Sequence, residues 1–196
     1  MAIDFMAIGD AVVDDFIHLK DAEVLMDHNE RELCVRFGDK VPFESSTKVY
    51  GVGNAANAAV AAARLGLKTG FVTNIGRDQN GNLIVKYYKK EKLDTRYVTQ
   101  HRGVPTNYHY VLWYGDERTI LVKQNKYEYK FHKNHEAPKT IYFSSINKNA
   151  VQYRDDIITY LEKNPKIFFA FQPGVFEISS GAEAFARFYK RADIVF

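Results

Sequence analysis

The sequence predicts an α/β fold in which a mostly parallel sheet is flanked by helices, and three observations support this class. Short apolar segments typical of buried strands alternate with longer segments typical of helices. An alanine-rich run begins at Asn54, directly after Gly53, and stops at Gly66. Two segments rich in β-branched and aromatic residues, between residues 106 and 124, interrupt the alternation and indicate a small β flap.

The composition is that of a globular chain. Of the 196 residues, 46% are hydrophobic, 14% aromatic and 26% charged, which argues against disorder and against a coiled coil. The net charge of +3 does not point to a polyanionic partner, so we expect no nucleic-acid binding. The longest run of apolar or small residues, 58–63, is too short to cross a membrane. Cys34 is the single cysteine and Asp4 stands where a secretory signal is basic, so we expect a cytoplasmic protein.

The first half of the chain is predicted to hold five strands and two helices. The strand segments are short and rich in apolar or β-branched residues: 3–8, 12–19, 32–37, 46–50 and 68–74. Asn54 is expected to cap the alanine-rich helix, and Gly66 to end it, because glycine tolerates the left-handed conformation that follows many helices. Residues 78–93 carry apolar side chains at helical spacing and form the second predicted helix.

The second half resumes the alternation after the flap. The flap is predicted as two strands, 106–113 and 118–124, joined by a turn at 114–117. A basic, aromatic loop follows over residues 126–139. Further strands are then predicted at residues 140–144, 166–171 and 192–196, and further helices at residues 151–163 and 182–191. Such alternation is typical of a mostly parallel sheet covered by helices.

The segment from Gly51 to Ala59 is the most informative motif, and it first admits two interpretations. Gly51, Gly53 and Ala56 satisfy the loose dinucleotide-binding pattern Gly-x-Gly-x-x-Gly/Ala. In a dinucleotide-binding site the glycines follow a buried strand, and an acidic residue stands at the end of the next strand. Here the next strand ends in Thr73-Asn74, neither of which is acidic. The alternative is purely structural: a turn followed by a helix of small, buried residues.

A third interpretation rests on a resemblance. From Gly53 onward the chain resembles the first signature of the ribokinase-like (PfkB) carbohydrate kinase family, and the matching residues are Gly53, Asn54, Ala55, Ala56, Asn57, Ala59, Gly66 and Gly76. Further matches are Gly76-Arg77-Asp78 with Gly81, Gly9 with Asp14, and Gln-Pro-Gly at 172–174 where many members have Asn-Pro-Gly. Val52 replaces the first glycine of the usual pair, and Val12 and Asn147 replace two sugar-binding residues of ribokinase itself, which leaves the sugar open.

The resemblance implies a ribokinase-like α/β fold in which the flap is a small β lid. It covers about the first two thirds of a family member, so we expect residues 1–196 to be a single incomplete α/β domain whose C-terminal part is missing. The lid strands are expected within about residues 12–50 and 104–125. The substrate-binding residues that the resemblance implies are Asp14, Gly53, Asn54, Asn57, His109 and Asn147. Without the resemblance, we would interpret Asp14 as a carboxylate of a turn or helix cap and His109 as a structural histidine.

The activity implied by the resemblance is ATP-dependent, Mg²⁺-dependent phosphorylation of a sugar or nucleoside hydroxyl. Family members carry the catalytic aspartate in a later Gly-Ala-Gly-Asp segment, which the 196 residues lack. We therefore expect no catalytic residue and no metal ligand in this chain, and ATP and Mg²⁺ sites mostly beyond Phe196. The fragment alone is expected to be inactive.

Other functions and partners follow from the same residues. The resemblance allows a homodimer through the lid, to which Trp113 and Tyr114 are suited. If the chain naturally ends at Phe196, a non-catalytic sugar- or nucleoside-binding module becomes the alternative. The second alternative is an oxidoreductase fragment that binds a dinucleotide, and it requires that Gly51 and Gly53 follow a central strand.

Two weaker patterns lie in the loop after the lid. His132 and His135 have a His-x-x-His spacing without a convincing third ligand, so we predict no metal site there. Lysines alternate with aromatic residues over residues 123–139, a pattern that also occurs on nucleic-acid surfaces, but we favour a solvated loop as the explanation.

Overall fold

The computed structural model describes residues 3–131 and 137–196. The described residues form twelve strands: β1 (Phe5–Ile8), β2 (Val12–Leu19), β3 (Glu23–Asp27), β4 (Glu30–Cys34), β5 (Phe43–Val52), β6 (Thr69–Gly76), β7 (Val98–His101), β8 (Tyr108–Tyr114), β9 (Glu117–Lys123), β10 (Thr140–Phe143), β11 (Phe168–Phe171) and β12 (Ile194–Val195). The α-helices are α1 (Asn54–Arg64), α2 (Gln79–Lys90), α3 (Val151–Lys163), α4 (Val175–Ser179) and α5 (Ala186–Arg191).

A six-stranded sheet forms the body of the molecule, in the order β12-β11-β10-β1-β6-β7. Every neighbouring pair in it is parallel. Strand β1 lies at the centre and is apolar on both faces, as expected for a strand covered by helices on both sides. The predicted parallel α/β architecture is therefore confirmed.

Two apolar layers hold the helices against this sheet. One face of the sheet packs against α1 and α2 through side chains such as Phe71, Ile75 and Tyr88. The other face packs against α3 and α5, where the rings of Phe143, Phe171 and Phe188 lie within 6 Å of one another. Burial of each such side chain contributes roughly 1.5 to 3 kcal/mol to folding. The sheet and its helices therefore form one rigid support for the carboxyl ends of the strands.

A second sheet, which we call the lid sheet, has the order β5-β2-β8-β9. Strand β2 pairs antiparallel with β5 and parallel with β8, and β8 and β9 form the predicted hairpin around the turn at 115–116. Strands β3 and β4 form a separate two-stranded hairpin between β2 and β5. Because β2 follows β1 and α1 follows β5 after only a few residues, the lid sheet is joined closely to the body.

Several elements differ from the sequence prediction. Strand β3 was not predicted, because all its side chains are exposed and leave no pattern of burial. Helix α4 was also not predicted: it has five residues, too few for a periodic pattern, and starts from a turn that the Glu177 side chain closes. Helix α5 begins at Ala186 rather than at residue 182.

The predicted cap of α1 is wrong. Gly53, not Asn54, occupies the N-cap position, and no side chain caps the helix. Asn54 is instead the first helical residue, and its side chain is exposed. At the other end, Gly66 follows the helix with φ of 91°, as predicted.

No helix among residues 3–131 and 137–196 has the length and apolar character needed to span a membrane. Within the same ranges, no three His, Cys, Asp or Glu side chains cluster as metal ligands would. His132 and His135 lie outside the described residues.

Candidate functional site

The candidate site lies where the carboxyl ends of β1, β10 and β11 meet the N-terminus of α1. The turn after β1 is fixed to the segment after β10, since the Asp10 amide donates to the Ser145 carbonyl at 3.0 Å. The segment after β11 is fixed likewise, by a 2.9 Å bond from the Gln172 amide to the Phe143 carbonyl. Open α/β sheets bind ligands at this edge, because side chains from several strands converge there.

Gly53 brings the start of α1 against the turn after β1. Its φ is 123°, in a region that only glycine adopts readily. A Cβ atom at this position would lie 2.9 Å from the Asp10 carbonyl oxygen, closer than real side chains come. The residue at 53 must therefore be glycine for the helix to begin so close to β1.

Asn54 and Asn57 lie on the first turn of α1 with exposed side chains. Positions three residues apart face the same side of a helix, so the two carboxamides point the same way. The backbone N–H of Asn57 donates to the Gly53 carbonyl at 2.8 Å, which closes the first turn of the helix. Each carboxamide offers both a donor and an acceptor, as recognition of hydroxyl groups requires.

Asp14 and His109 face each other on one face of the lid sheet. They are directly opposite in the parallel β2–β8 register, and Asp14 Oδ1 lies 3.2 Å from His109 Nδ1. The two side chains are only 21% and 18% exposed. His109 Nε2 is buried and has no hydrogen-bond partner among the described residues. The structure thus pairs two predicted site residues that are 95 positions apart in the sequence.

Asn147 is buried, and its side chain is engaged by the protein. Its Nδ2 donates to the Asn125 carbonyl at 3.2 Å, and its Oδ1 accepts from the Asn149 amide at 3.1 Å. The bond to Asn125 fastens the segment after β10 to the residues that follow the lid sheet. The role of Asn147 as a substrate contact stays a prediction.

Asp10 is a partly buried residue, with a buried Oδ2 atom, that the sequence did not single out. Its Oδ1 accepts from the Tyr129 hydroxyl at 2.9 Å, and its Oδ2 has no partner among the described residues. Burial raises the pKa of Asp10 to about 6, against the opposing effect of the Tyr129 hydrogen bond. The only sequence signal was its place directly after Gly9 at the end of a buried strand.

A buried ion pair supports the turn at 172–174. Arg154 donates to the carbonyls of Ile146 and Asn147 at 2.8 and 3.0 Å, and its guanidinium lies 3.5 Å from Glu177. Glu177 in turn accepts from the Gly174 amide at 3.0 Å. The pair therefore holds the ends of β10 and β11 together from below the site.

Asp78 connects the root of the lid sheet to α2. Its carboxylate accepts from the Thr106 amide at 2.8 Å, from the Thr106 hydroxyl at 2.6 Å and from the Gly81 amide at 2.8 Å. Burial alone would raise the pKa of Asp78, but these hydrogen bonds outweigh it and lower that pKa. Strand β8 thus enters the lid sheet from a fixed point on the body.

Comparison with known proteins decides the family. Residues 20–166 match the model of the pfkB family carbohydrate kinases, which is more than half of the chain. The chain belongs to the pfkB family of carbohydrate kinases. Its lid sheet, its Gly53–Asn57 segment and its six-stranded body all lie partly or wholly within the matched residues.

Relatives and solved structures agree with this assignment. The chain is 38% identical over 96 residues to a 5-dehydro-2-deoxygluconokinase of Geobacillus thermodenitrificans, covering 49% of this chain and 23% of that relative. The fold matches ribokinase of Cryptococcus neoformans in complex with ADP, with a TM-score of 0.70 and 18% identity, over 97% of this chain and 55% of that one. It also matches a nucleoside kinase of Methanocaldococcus jannaschii, with a TM-score of 0.70 and 13% identity, over 98% and 59%. The chain therefore spans well under two thirds of each of these relatives.

The dinucleotide-binding interpretation is wrong for this pfkB family chain. Gly51 and Gly53 follow β5, which is an edge strand of the lid sheet and pairs with β2. A dinucleotide fingerprint requires a central strand of the parallel sheet before the glycines. The next strand, β6, places Asn74 rather than a carboxylate near its end, and Asn74 is bonded to His101 at 2.9 Å.

The candidate residues that offer hydrogen-bond donors and acceptors lie on β2, β8 and α1. Their role as substrate contacts stays a prediction. A Gly-Ala-Gly-Asp segment is absent from the 196 residues.

Proposed function

We propose that the protein transfers the γ-phosphoryl group of ATP to a hydroxyl group of a sugar or nucleoside, and that this chain supplies the substrate-binding and lid portion. The observation that supports this most directly is the Asp14–His109 pair. It combines a carboxylate with an imidazole whose second nitrogen has no partner among the described residues, on one face of the lid sheet.

Substrate recognition would depend on hydrogen bonds from several side chains. Asp14 offers acceptor oxygens, His109 Nε2 offers a donor or an acceptor, and Asn54 and Asn57 offer both. A buried hydroxyl left without a partner costs roughly 1 to 3 kcal/mol, so a polyhydroxylated molecule fits this set better than an apolar one. Gly53 would let the substrate approach the backbone at the mouth of α1.

The lid sheet would exclude water from the reacting groups. Phosphoryl transfer requires this, because water competes with the substrate hydroxyl as the attacking group. The Asp78–Thr106 bonds fix where β8 leaves the body, so that the lid face bearing His109 stays directed at the edge of the sheet.

ATP and Mg²⁺ are proposed cofactors, and their sites are expected mostly beyond Phe196. Bound ATP would supply the phosphoryl group: a bond forms between the substrate oxygen and the γ-phosphorus, and the bond to the β–γ bridging oxygen breaks. The hydroxyl proton must pass to a base, and we assign that base to none of the described residues. What this chain's residues would do is bind and orient the substrate.

The test is a phosphorylation screen of the protein from its native source with D-ribose, D-fructose, 5-dehydro-2-deoxygluconate and adenosine. One of these classes should be phosphorylated. Asp14→Asn should then lower kcat/KM roughly 10- to 100-fold, the effect of losing a charge-assisted hydrogen bond. Asp116→Asn, in the exposed turn of the lid sheet, is the control and should have little effect.

The outcomes separate the alternatives. Sugar binding without phosphorylation, in a native chain that lacks a Gly-Ala-Gly-Asp segment, would make the protein a sugar- or nucleoside-binding module. Neither binding nor phosphorylation of any of the four compounds would contradict the proposal itself.

We also propose a homodimer through the lid sheet. Trp113, Ile120 and Val122 are between 40% and 62% exposed, and register places them on the same face as His109. Such an apolar face is typical of an interaction surface. Val122→Lys should shift the molar mass measured by light scattering toward the monomer, whereas Leu121→Lys, on the opposite face, should not. A monomeric unmodified protein would contradict the dimer.

A further inference from the structure

The face of the lid sheet opposite Asp14 and His109 carries a second set of linked polar residues. Asp15 on β2 accepts a 2.7 Å hydrogen bond from the Tyr108 hydroxyl on β8. Lys48 on β5 lies directly opposite Asp15 in the register, with its Nζ 3.8 Å from Asp15 Oδ2. Lys48 also lies over the Tyr108 ring, 5.9 Å from its centre. Three neighbouring strands are thus joined through one carboxylate.

The Asp15 carboxylate depends on the Tyr108 hydroxyl for its hydrogen bond. The Asp15 side chain is only 8% exposed, and its second oxygen has no hydrogen-bond partner among the described residues. Burial and the bond to Asp15 raise the pKa of Tyr108, so its hydroxyl keeps the proton that it donates. Without that hydroxyl, Asp15 would be a buried carboxylate with no hydrogen bond and one lysine at a distance, an unfavourable state.

The register that these residues hold is also the one that pairs the predicted site residues. In the β2–β8 pairing, Asp14 is opposite His109 and Asp15 is opposite Tyr110, so the Tyr108 hydroxyl reaches Asp15 diagonally. A slip of one residue would turn each side chain of β2 to the other face of the sheet. Asp14 would then leave His109.

We propose that Asp15 and Tyr108 are positioning residues: their hydrogen bond on the back of the lid sheet keeps Asp14 opposite His109 on the front. The consequence for substrate binding rests on the proposed function, whereas the effect on the Asp14–His109 pairing does not. Lys48 would neutralise the buried charge from the third strand. Asp15 and Tyr108 themselves would not touch the substrate, since they lie on the other face.

The test is an NMR measurement that needs no substrate. In the unmodified chain, nuclear Overhauser effects should connect the His109 ring protons to the β-protons of Asp14, because the two side chains lie within 3.2 Å. Tyr108→Phe removes only the hydroxyl and should abolish or strongly weaken these effects. Tyr110→Phe makes the same chemical change two residues along, on the same face, and should leave them intact.

A conservative variant separates positioning from general stability. Asp15→Asn keeps an oxygen that can accept from Tyr108 and should preserve the effects, whereas Asp15→Leu should lose them. If Tyr108→Phe lowers the melting temperature yet keeps the His109–Asp14 effects, the pair is merely stabilising and the proposal is wrong.

The kinetic consequence is measured separately in the whole enzyme. With the sugar or nucleoside phosphorylated in the screen, Tyr108→Phe should raise KM about tenfold, as misplacement of binding groups does. In an Asp14→Asn background the same change should have little further effect, because Tyr108 acts through Asp14. Absence of phosphorylation would contradict the proposed function, and the NMR result would then decide the positioning role by itself.

Discussion

Arg154 and Glu177 form a buried ion pair beneath the candidate site, with their side chains 7% and 0% exposed and 3.5 Å apart. Arg154 also stacks on the Phe176 ring at 4.7 Å. The Arg154 guanidinium also binds the carbonyls of Ile146 and Asn147 after β10, while Glu177 holds the turn after β11. The pair therefore fixes the relative position of two strand ends that border the site.

Glu177→Gln should destabilise the protein, because it leaves the buried Arg154 charge without compensation. The free energy of unfolding in urea should fall by roughly 3 kcal/mol or more. Glu162→Gln is the matched control, since Glu162 forms a surface pair with Arg187 at 2.7 Å and should matter little. If the free energy of unfolding falls equally in the two variants, burial does not account for the contribution of the Arg154–Glu177 pair.

Asp10→Asn should make the protein more stable at neutral pH. Because the pKa of Asp10 is about 6 in the folded protein and near its ordinary 3.8 when unfolded, folding is favoured by protonation. That contribution is complete below pH 3.8 and is lost as the pH rises through 6. The variant should therefore gain about 2 to 3 kcal/mol over the unmodified protein at pH 8.

The measurement for Asp10 is urea unfolding at pH 4 and pH 8. The gain should be present at pH 8 and absent at pH 4, since the protonated carboxyl and the amide are both neutral. A gain of equal size at both values would mean that the Asp10 charge is not its cause.

Asp78→Ala should loosen the root of the lid sheet. The pKa of Asp78 is lowered by its bonds to Thr106 and Gly81, so the stability it contributes is present above pH 4 and is lost as the pH falls further. The melting temperature of the variant should therefore be lower than that of the unmodified protein at pH 7, and the difference should shrink toward pH 2.5. Asp116→Ala, in the exposed turn, controls for the loss of a carboxylate.

Gly53→Ala should be more damaging than Gly66→Ala. Both positions have positive φ, 123° and 91°, so both variants carry backbone strain of about 1 kcal/mol. Only at Gly53 does the added methyl group meet another atom, the Asp10 carbonyl oxygen, whereas Gly66 faces open space. Urea unfolding should show the larger loss at Gly53, and sugar binding should weaken in that variant alone.

Elements with strong local signals were predicted closely. Strand β2 and helix α3 have the predicted bounds, and in α3 the buried residues recur at helical spacing. The hairpin of β8 and β9 was predicted from its turn residues. Exposed β3 and the five-residue α4 escaped prediction, because neither has enough buried residues to leave a pattern.

The candidate site was predicted only in part, because most of it depends on contacts distant in sequence. Gly53 and Asp14 were identified through a family resemblance, and their roles as substrate contacts stay predictions. Asp10 was missed because its partner, Tyr129, lies 119 positions away in a loop without a motif. Arg154 was missed because it lies among the polar residues of a helix pattern and is buried by residues distant in sequence, such as Phe176 and Phe185.

The sequence by itself determined the α/β class, the start and end of its main helices and the resemblance that points to a carbohydrate kinase. These depend on propensity, periodicity and spacing, which act within a few residues. Only the tertiary structure decided that β2 pairs parallel with β8, that β5 is an edge strand, and that Asp14 lies opposite His109 while Asp15 binds Tyr108 behind them. The physical reason is that strand partners and faces are chosen by burial and hydrogen bonding between distant segments, which no local pattern specifies.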